Sequence, residues 1–397
     1  MTNVQLKPGW KMVKFGEVVK NANLVERDPD ANGIERIVGL EHIEPENLHI
    51  RRWNPVEEGS SFTRKFVPGQ TLFGKRRAYQ RKVAYAEFEG ICSGDILTFE
   101  PKDEKVLLPE LLPFICQSEA FFDHALGTSA GSLSPRTSWK ALKDFEFPLP
   151  ALDEQKRIAE ILWAADEAHE SYNNVLSESE QALGLLRDKI LSGRFEILAD
   201  FGVNQFGDGN SVQLSVGEVV RFQGGSQPPR DTFEYKPREG VVRLIQIRDY
   251  KSDEFITYVP KELARRFCDE TDVMIGRYGP PIFQILRGIN GAYNVALIKA
   301  VPDESRLSKD YLFYFLKQRK LFEAIDHLSR RSSGQTGIDM DYLKKYPLHL
   351  PPLEIQHAIV GLFKSFEEKQ KLIRGHCQNH SQLKKGYFQQ TIGAAHV

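Results

Sequence analysis

Two stretches of sequence decide the fold: LPALDEQKRIAEIL at residues 149–162 and LPPLEIQHAIVGLF at residues 350–363. Each has a leucine-proline boundary, an acidic residue, a glutamine and then spaced apolar residues. Proline ends a preceding strand, and acidic side chains favour the N-terminus of a helix. Each stretch therefore predicts a strand that ends and a helix that begins.

The residues after each stretch predict that these helices are long and pair with each other. Apolar or small residues recur at alternating spacings of four and three, which is a heptad seam. A helix over residues 153–192 would be roughly 60 Å long. A globular region separates the two seams, so we expect them to pair in antiparallel orientation. The first seam is Ile158, Leu162, Ala165, His169, Tyr172, Leu176, Ser179, Leu183, Leu186 and Ile190, and the second is Ile359, Phe363, Phe366, Gln370, Ile373, Cys377, His380 and Tyr387.

Polar residues interrupt the seams at equivalent places, His169 with Gln370 and Ser179 with His380. Such residues in a coiled coil cost stability and can fix its register. Tolerated or solvent-facing side chains are an equally good interpretation from sequence.

The resemblance between the two stretches extends along the whole chain. Leu350 follows Leu149 by 201 residues, and the same offset relates FGEVV at 15–19 to VGEVV at 216–220. Duplication explains these matches better than chance does.

Each half of the chain opens with about 150 residues of mixed texture, including the β-rich runs ERIVGLEHI at 35–43 and VVRLIQIRDY at 241–250. We predict an α+β fold: two duplicated mixed α/β domains separated by two long helices that form an antiparallel coiled coil with approximate two-fold symmetry. The predicted boundaries are 1–150, 151–195, 196–351 with a linker at 196–210, and 352–397.

The composition is that of an ordinary globular protein, with 397 residues, 41% hydrophobic residues and a net charge of −1. No apolar run is long enough to span a membrane, so we expect a cytoplasmic protein. The four cysteines form no CxxC pair, which favours plain thiols over a disulfide framework or a metal site. Charge is segregated, because residues 63–82 hold seven basic side chains and no acidic one. A local basic surface is therefore expected on a neutral chain.

The duplicated leucine-proline-acidic-glutamine entries to long helices, together with the domain order, closely resemble the specificity subunits of type I restriction-modification systems. The resemblance implies two target recognition domains, each reading one half of a bipartite, asymmetric DNA site. It also implies that the two helices form an antiparallel coiled coil that sets the spacing of the half-sites and docks methyltransferase subunits. The docking residues expected at the helix entrances are Leu152, Gln155, Ile158, Leu162, Leu353, Gln356, Ile359 and Phe363.

Two kinds of segment in each domain have chemistry suited to DNA. DVMIGRYG at 272–279 resembles the family's strand with an arginine turn, and TLFGKRRAY at 71–79 is its counterpart. TSAGSLSPRTSWKAL at 128–142 and RRSSGQTGIDMDYL at 330–343 resemble its Ser/Gly-rich loop. Glycine permits close backbone approach to phosphates, hydroxyl groups bind phosphates, and arginine pairs with guanine. The predicted DNA-binding residues are Lys75, Arg76, Arg77, Tyr79, Arg81, Lys82, Ser129, Ser132, Ser134 and Arg136 for the first half-site, and Arg277, Tyr278, Arg330, Arg331, Ser332, Ser333, Gln335 and Thr336 for the second.

Catalytic motifs of the expected reactions are missing from this chain. None of its Pro-Pro pairs completes the Asn/Asp/Ser-Pro-Pro-aromatic tetrapeptide of base methyltransferases, and no phosphate loop of an ATPase occurs. We therefore expect no catalytic residues, no metal site and no cofactor in this chain. The family resemblance implies two methyltransferase and two restriction subunits as partners, alongside double-stranded DNA, with S-adenosylmethionine, ATP and magnesium bound by those subunits.

Two alternatives remain open at this point. One is a specificity chain of a related system in which a single partner fuses methylation and cleavage. The other is a coiled-coil protein-interaction module that binds no DNA.

Overall fold

A computed structural model describes residues 6–59, 61–203, 211–331 and 337–392. The contacts between residues divide the chain into two compact units. Unit 1 comprises residues 1–174 and 374–397, and unit 2 comprises residues 175–373. Each unit therefore combines one mixed α/β domain with a segment from each of the two long helices.

The domain of unit 1 is built on three antiparallel or mixed sheets. In the first sheet, β1 pairs with β11. The second has four strands in the order β2, β10, β7, β8, and the third has five in the order β3, β6, β9, β4, β5. Of the strand pairs in these sheets, only β4 with β9 is parallel. The elements are β1 (Lys11–Lys14), α1 (Phe15–Val18), β2 (Val19–Asn21), β3 (Leu24–Val25), β4 (Arg36–Val38), β5 (Asn54–Pro55), β6 (Arg64–Phe66), β7 (Thr71–Gly74), β8 (Val83–Tyr85), β9 (Gly90–Cys92), β10 (Ile96–Pro101), α2 (Leu112–Gln117), α3 (Glu119–Gly127), α4 (Trp139–Leu142), β11 (Glu146–Leu149) and the long helix α5 (Leu152–Leu191).

The domain of unit 2 repeats this plan. In its first sheet, β12 pairs with β21. The other two sheets have four strands each, in the orders β13, β20, β17, β18 and β15, β14, β19, β16. Again one pair in these sheets is parallel, β14 with β19. The elements are β12 (Val212–Ser215), α6 (Val216–Val219), β13 (Val220–Gly224), β14 (Val241–Ile245), β15 (Tyr258–Pro260), β16 (Phe267–Cys268), β17 (Val273–Gly276), β18 (Gln284–Leu286), β19 (Gly291–Tyr293), β20 (Leu297–Pro302), α7 (Lys309–Leu316), α8 (Arg319–Arg331), α9 (Met340–Lys345), β21 (Pro347–Leu350) and the long helix α10 (Leu353–Thr391).

The β-rich runs identified in the sequence are strands only at their beginnings. β4 and β14 each end after a few residues, and a 3-10 turn follows at Leu40–His42 and at Ile247–Tyr250. The predicted linker at 196–210 also begins with structure, because a 3-10 segment at Phe195–Phe201 buries Phe195 and Leu198 in the core of unit 2. The glycine-containing stretch at 206–210 lies outside the described residues.

The two long helices run antiparallel in each unit. In unit 1, Ile158 and Leu162 share a core cluster with Phe388 and Ile392, near the opposite end of α10. In unit 2, Leu183 and Ile190 share a cluster with Ile359 and Phe363. Residues with higher numbers on α5 therefore contact residues with lower numbers on α10, which confirms the predicted antiparallel coiled coil. Every residue of both predicted seams is buried or half-buried.

The polar seam residues meet partners across the coiled coil. Gln370 is 5% exposed, and its amide donates to Ser179 Oγ at 3.1 Å. His169 Nδ1 lies 3.2 Å from the carbonyl oxygen of Cys377, and the His380 ring lies 5.3 Å from that of Tyr172. These contacts favour the register-setting interpretation over a solvent-facing one.

One buried glutamine at each helix entrance ties the long helix to its domain. Gln155 Oε1 accepts from the backbone N–H of Leu108 at 3.0 Å, and its Nε2 donates to the carbonyls of Val106 at 2.8 Å and Pro150 at 2.9 Å. Burial without these bonds would be costly, because a buried polar group needs a partner.

Gln356 repeats the arrangement in unit 2. Its Oε1 accepts from Ser308 N at 2.9 Å, and its Nε2 donates to the carbonyls of Arg306 at 2.7 Å and Pro351 at 2.8 Å. The exposed fractions are 1% for Gln155 and 0% for Gln356. The glutamine of the duplicated motif therefore joins three backbone groups in each unit.

A buried ionic cluster forms a second link between the domain and the helices of unit 1. His49 is 7% exposed, with its Nδ1 2.7 Å from Glu87 Oε1 and its Nε2 2.8 Å from Glu170 Oε2 and 3.1 Å from Asp166 Oδ2. Lys384, from α10, contacts Asp166. Burial alone would lower the pKa of His49, but the contacts with Asp166 and Glu87 and the charge of Glu170 outweigh it, so the pKa is raised.

Two further observations concern the described residues as a whole. All four cysteines are free and buried, as expected for plain thiols. Within the described ranges, no helix has both the length and the apolar character needed to cross a bilayer.

Replacing Gln155 with Leu should lower the free energy of unfolding by on the order of 3 kcal/mol, because it leaves one N–H and two carbonyls without their partner. Urea denaturation of the full chain measures this change. Gln378 lies exposed on α10, so Gln378→Leu is the matched control and should change stability little. Equal effects of the two substitutions would show that the buried amide is not a structural link.

The His49 cluster predicts a pH dependence of stability. A histidine whose pKa is raised by folding contributes stability that is fully present below the ordinary pKa of 6.5 and is lost as the pH rises through the raised value. The difference in unfolding free energy between the wild type and His49→Gln should therefore be largest near pH 6 and shrink towards pH 9. Arg52→Gln removes an exposed ion pair with Glu44 and is the control. Its difference in unfolding free energy from the wild type should not shrink between pH 6 and pH 9. If the difference for His49→Gln were also constant over this range, the raised pKa assigned to His49 would be contradicted.

Candidate DNA interface

The turn after β7 and the Ser/Gly-rich loop, two segments predicted to bind DNA, lie side by side in unit 1. The backbone N–H of Arg77 donates to Pro135 O at 2.7 Å, and that of Thr137 donates to Lys75 O at 3.0 Å. Arg77 has a positive φ of 55°, which turns the chain sharply after the strand. The structure thus brings the two segments together although about sixty residues separate them.

The Ser/Gly-rich loop itself is a closed hairpin. Ala130 and Arg136 exchange two backbone hydrogen bonds, at 3.0 Å and 2.9 Å. Gly131 has a φ of +107°, a conformation that side chains disfavour, so glycine is needed at this corner.

One carboxylate organises the arginines of this surface. Asp95 Oδ1 accepts from Arg136 Nε at 3.0 Å, and Asp95 Oδ2 accepts from Arg76 Nη1 at 3.4 Å. Arg76 Nε also donates to Ser134 Oγ at 2.7 Å. Burial would raise the pKa of Asp95, but its contacts with Arg136 and Arg76 outweigh that effect and lower it. Two guanidinium groups facing one carboxylate leave a net positive charge, which suits a DNA phosphate or a guanine edge.

Sequence reasoning missed Asp95, because an acidic residue is not expected in a DNA interface and because Asp95 is distant in sequence from both arginines. Asp95 comes next to the basic segment only through the pairing of β7 with β10, which the sequence did not predict.

Three predicted DNA contacts have partners within the domain instead. Arg81 donates to both carboxylate oxygens of Glu119, at 2.8 Å and 2.7 Å, and stacks on Phe122. Lys82 Nζ donates to Leu40 O at 2.6 Å, and Ser129 Oγ donates to Ala125 O at 2.7 Å. We therefore base the proposed interface on Arg76 and Arg136, which share one carboxylate, and not on Arg81, which Glu119 neutralises, or on Lys82 and Ser129.

The other predicted residues of the first domain differ in accessibility. Tyr79 is 54% exposed, and Ser132 lies exposed in the hairpin. Lys75 is half-buried, and burial, followed by the charge of Arg64, lowers the pKa of its ammonium.

In unit 2, Arg277 occupies the position of Lys75 in the duplicated sheet. Its backbone N–H donates to Ala296 O at 2.8 Å, just as that of Lys75 donates to Asp95 O at 2.9 Å. Alanine therefore stands where the first domain has the carboxylate that holds its arginines. The Arg277 guanidinium instead lies 5.4 Å from the ring of Tyr278, which is 43% exposed.

The second Ser/Gly-rich loop is only partly described. Arg330 is exposed and pairs with Asp326 at 2.8 Å within α8. Arg331 ends this helix. The predicted contacts Ser332, Ser333, Gln335 and Thr336 lie outside the described residues.

Most of the residues predicted to dock a methyltransferase subunit are in the cores of the units. Gln155, Ile158 and Leu162 are buried in unit 1, and Gln356, Ile359 and Phe363 are buried in unit 2. These side chains have no surface to offer a partner, because the helix faces that carry them pack on this chain's own domains. Only Leu152 and Leu353, both half-buried, remain candidates.

Residues 127–131, GTSAG, match the G-x-S-x-G pattern of serine hydrolases. That pattern requires the serine on a turn between a strand and the helix that follows it. Here α3 precedes Ser129 in the chain, whereas the pattern requires a helix that follows the serine. The match has no catalytic context.

With two alike domains, two long helices and an arginine-bearing turn in each domain, the architecture defines a duplicated DNA-recognition protein. The family model described as "Type I restriction modification DNA specificity domain" matches residues 8–179 and 216–379. The chain therefore belongs to the specificity subunits of type I restriction-modification systems, and it carries two copies of the domain.

Individual relatives resemble the chain to different extents. It is 23% identical over 387 residues to the putative MjaX specificity subunit of Methanocaldococcus jannaschii, covering 93% of this chain and 88% of the relative. It is 27% identical over 183 residues to the EcoDI specificity subunit of Escherichia coli, covering 42% of this chain and 38% of the relative.

Solved structures share the fold. A chain from a structure that addresses complex assembly and conformational transition of a type I restriction-modification system aligns over 98% of both chains, with a TM-score of 0.62 and 19% identity. The type I S subunit of M. genitalium aligns over 96% of both chains, with a TM-score of 0.57 and 12% identity.

Proposed function

We propose that this chain reads a bipartite DNA site, one half-site for each recognition domain, and leaves chemistry to its partners. The observation that carries the proposal is a basic turn after the equivalent strand of each domain: in unit 1 it places Arg76 beside Arg136 of the Ser/Gly-rich loop, and in unit 2 it carries Arg277 at the position of Lys75. Arginine is the side chain that most often reads guanine in the major groove.

The two domains offer different chemistry at that position. In unit 1, Asp95 restrains both guanidinium groups, so they keep a fixed geometry at the cost of some charge. In unit 2, Ala296 provides no such restraint, and Arg277 can rearrange to form a bidentate pair. Different contacts at equivalent places suit an asymmetric site.

The partners and cofactors follow from the family and are part of the proposal. Two methyltransferase subunits would supply S-adenosylmethionine chemistry, and two restriction subunits would supply ATP- and magnesium-dependent cleavage, in the cytoplasm where the chromosome lies. Across the ranges that the structure describes, no group of three or more histidine, cysteine or acidic side chains is arranged to hold a metal ion.

Single-molecule sequencing of methylated genomic DNA, with and without this gene, tests the function most simply. We expect methylation at one bipartite motif that disappears with the gene. An unchanged methylation pattern, together with no sequence-dependent DNA binding by the assembled complex, would instead favour a protein-interaction module. Methylation by the purified chain alone would contradict its non-catalytic role.

Replacing Arg277 with Ala should weaken binding of the assembled methyltransferase to its site by about 1–3 kcal/mol and relax selectivity at one position of the second half-site. Competition binding against duplexes with single base changes measures both effects. Arg238 is in the same domain and pairs with Glu234 at its surface, so Arg238→Ala is the control and should leave selectivity unchanged. Unchanged affinity and selectivity for Arg277→Ala would remove it from the interface.

We also propose that the coiled coil sets the spacing between the half-sites. The Ser179–Gln370 contact gives the register, so deletion of residues 176–182 together with residues 368–374 removes facing heptads and spares Glu367, the partner of Arg187. One heptad is about 10 Å of helix. The methylated motif should keep both half-sites and lose one to a few base pairs between them, whereas an active variant with the original spacing would show that the helices do not determine it.

A further inference from the structure

The hairpin at residues 130–136 is held rigidly against its domain. Its base is closed by the two backbone bonds between Ala130 and Arg136, and the Arg77 N–H binds the Pro135 carbonyl. In addition, Arg76 Nε donates to Ser134 Oγ at 2.7 Å. The loop between these bonds is short and anchored from two directions, so its tip has a defined position.

Leu133 is at that tip and is 92% exposed, the largest exposed fraction among the large apolar residues of the described ranges. An isolated exposed leucine on a protein surface is common and needs no explanation. This one differs in its setting, because it lies at the tip of an anchored hairpin that contains Arg136 and is bound by Arg76. It contributes almost nothing to the packing of unit 1.

The two arms of the hairpin lie side by side, joined by the Ala130–Arg136 bridge, and a pair of chain segments is broader than a single one. The major groove, about 12 Å wide, admits a two-stranded β-ribbon, whereas the minor groove is about half as wide. The apolar feature of the major groove is the C5 methyl group of thymine. An exposed leucine at the tip of a hairpin that carries Arg136 and is bound by Arg76 therefore matches a thymine methyl group close to phosphates or guanine.

Building on the proposed function, we propose that Leu133 is a specificity-determining residue that contacts a thymine methyl group in the major groove of the first half-site. The free energy of this contact comes only from removing two apolar groups from water and from their fit to each other. The contact therefore distinguishes thymine from bases that lack the methyl group. Arg76, through Ser134, and Arg136, through Asp95, hold the hairpin in place.

The test combines the Leu133→Ala chain with duplexes in which deoxyuridine replaces single thymines of the first half-site. Deoxyuridine keeps the pairing edge of thymine and lacks only its methyl group. For the wild-type chain assembled with its methyltransferase subunits, one such replacement should weaken binding by about fourfold, as expected for one buried methyl group. Leu133→Ala should weaken binding to the thymine site by about tenfold, and the penalty for deoxyuridine at that position should vanish.

Two controls separate this contact from general damage. Val106 is 44% exposed in the same domain, and Val106→Ala should keep the wild-type penalty. Deoxyuridine in the second half-site should weaken the wild type and Leu133→Ala equally.

A penalty that persists in Leu133→Ala, or a first half-site with no position sensitive to the methyl group, would overturn the assignment of Leu133 while leaving the proposed function intact. A wild-type complex with no sequence preference at all would overturn both.

Discussion

Each half of this protein depends on one buried side-chain amide at the entrance of a long helix. The Gln155 amide binds the backbone of the loop before α2 and the carbonyl before its own helix, and Gln356 does the same in unit 2. Buried amides are stable only when their donors and acceptors are paired. The domain cannot slide or rotate on its helix without breaking three hydrogen bonds at once, so its loops keep a fixed orientation relative to the helix.

In this arrangement, the residues that stabilise the fold are different from those proposed to recognise DNA. The residues that fix the fold are buried and repeated in both halves: the glutamines, the seam residues and the strands that precede the helices. The residues that differ between the halves lie on turns and loops, as in the change from Asp95 to Ala296 beside the arginine turn. Loops on a rigid scaffold can change without loss of the core. A duplicated protein with this division can read two unrelated sequences with one architecture.

The sequence was sufficient to predict the duplication, the two helices and their antiparallel pairing, because these depend on local periodicity and on the comparison of the chain with itself. The arginine turns were predicted from the resemblance to the family. It was insufficient where a side chain's role depends on a partner distant in the chain. Arg81 and Lys82 read as part of a basic surface, but Glu119 and the carbonyl of Leu40 take up their charged groups. Leu133 had no place in a search for charged residues, and only its exposure on an anchored hairpin distinguishes it. Most of the helix-entrance residues, which were predicted to face a partner, are buried against the chain's own domains and the other long helix.

On the proposed function, each domain reads DNA independently and the glutamine at the helix entrance accepts either domain. Replacing residues 11–149 with residues 212–350 tests it most directly, because Arg306 and Ser308 of the transplanted domain would offer Gln155 the same carbonyl and N–H as Val106 and Leu108 do. Sequencing of methylated DNA from cells that carry this variant should show a motif made of two copies of the second half-site. Persistence of the original asymmetric motif, or a motif unrelated to the second half-site, would contradict the account.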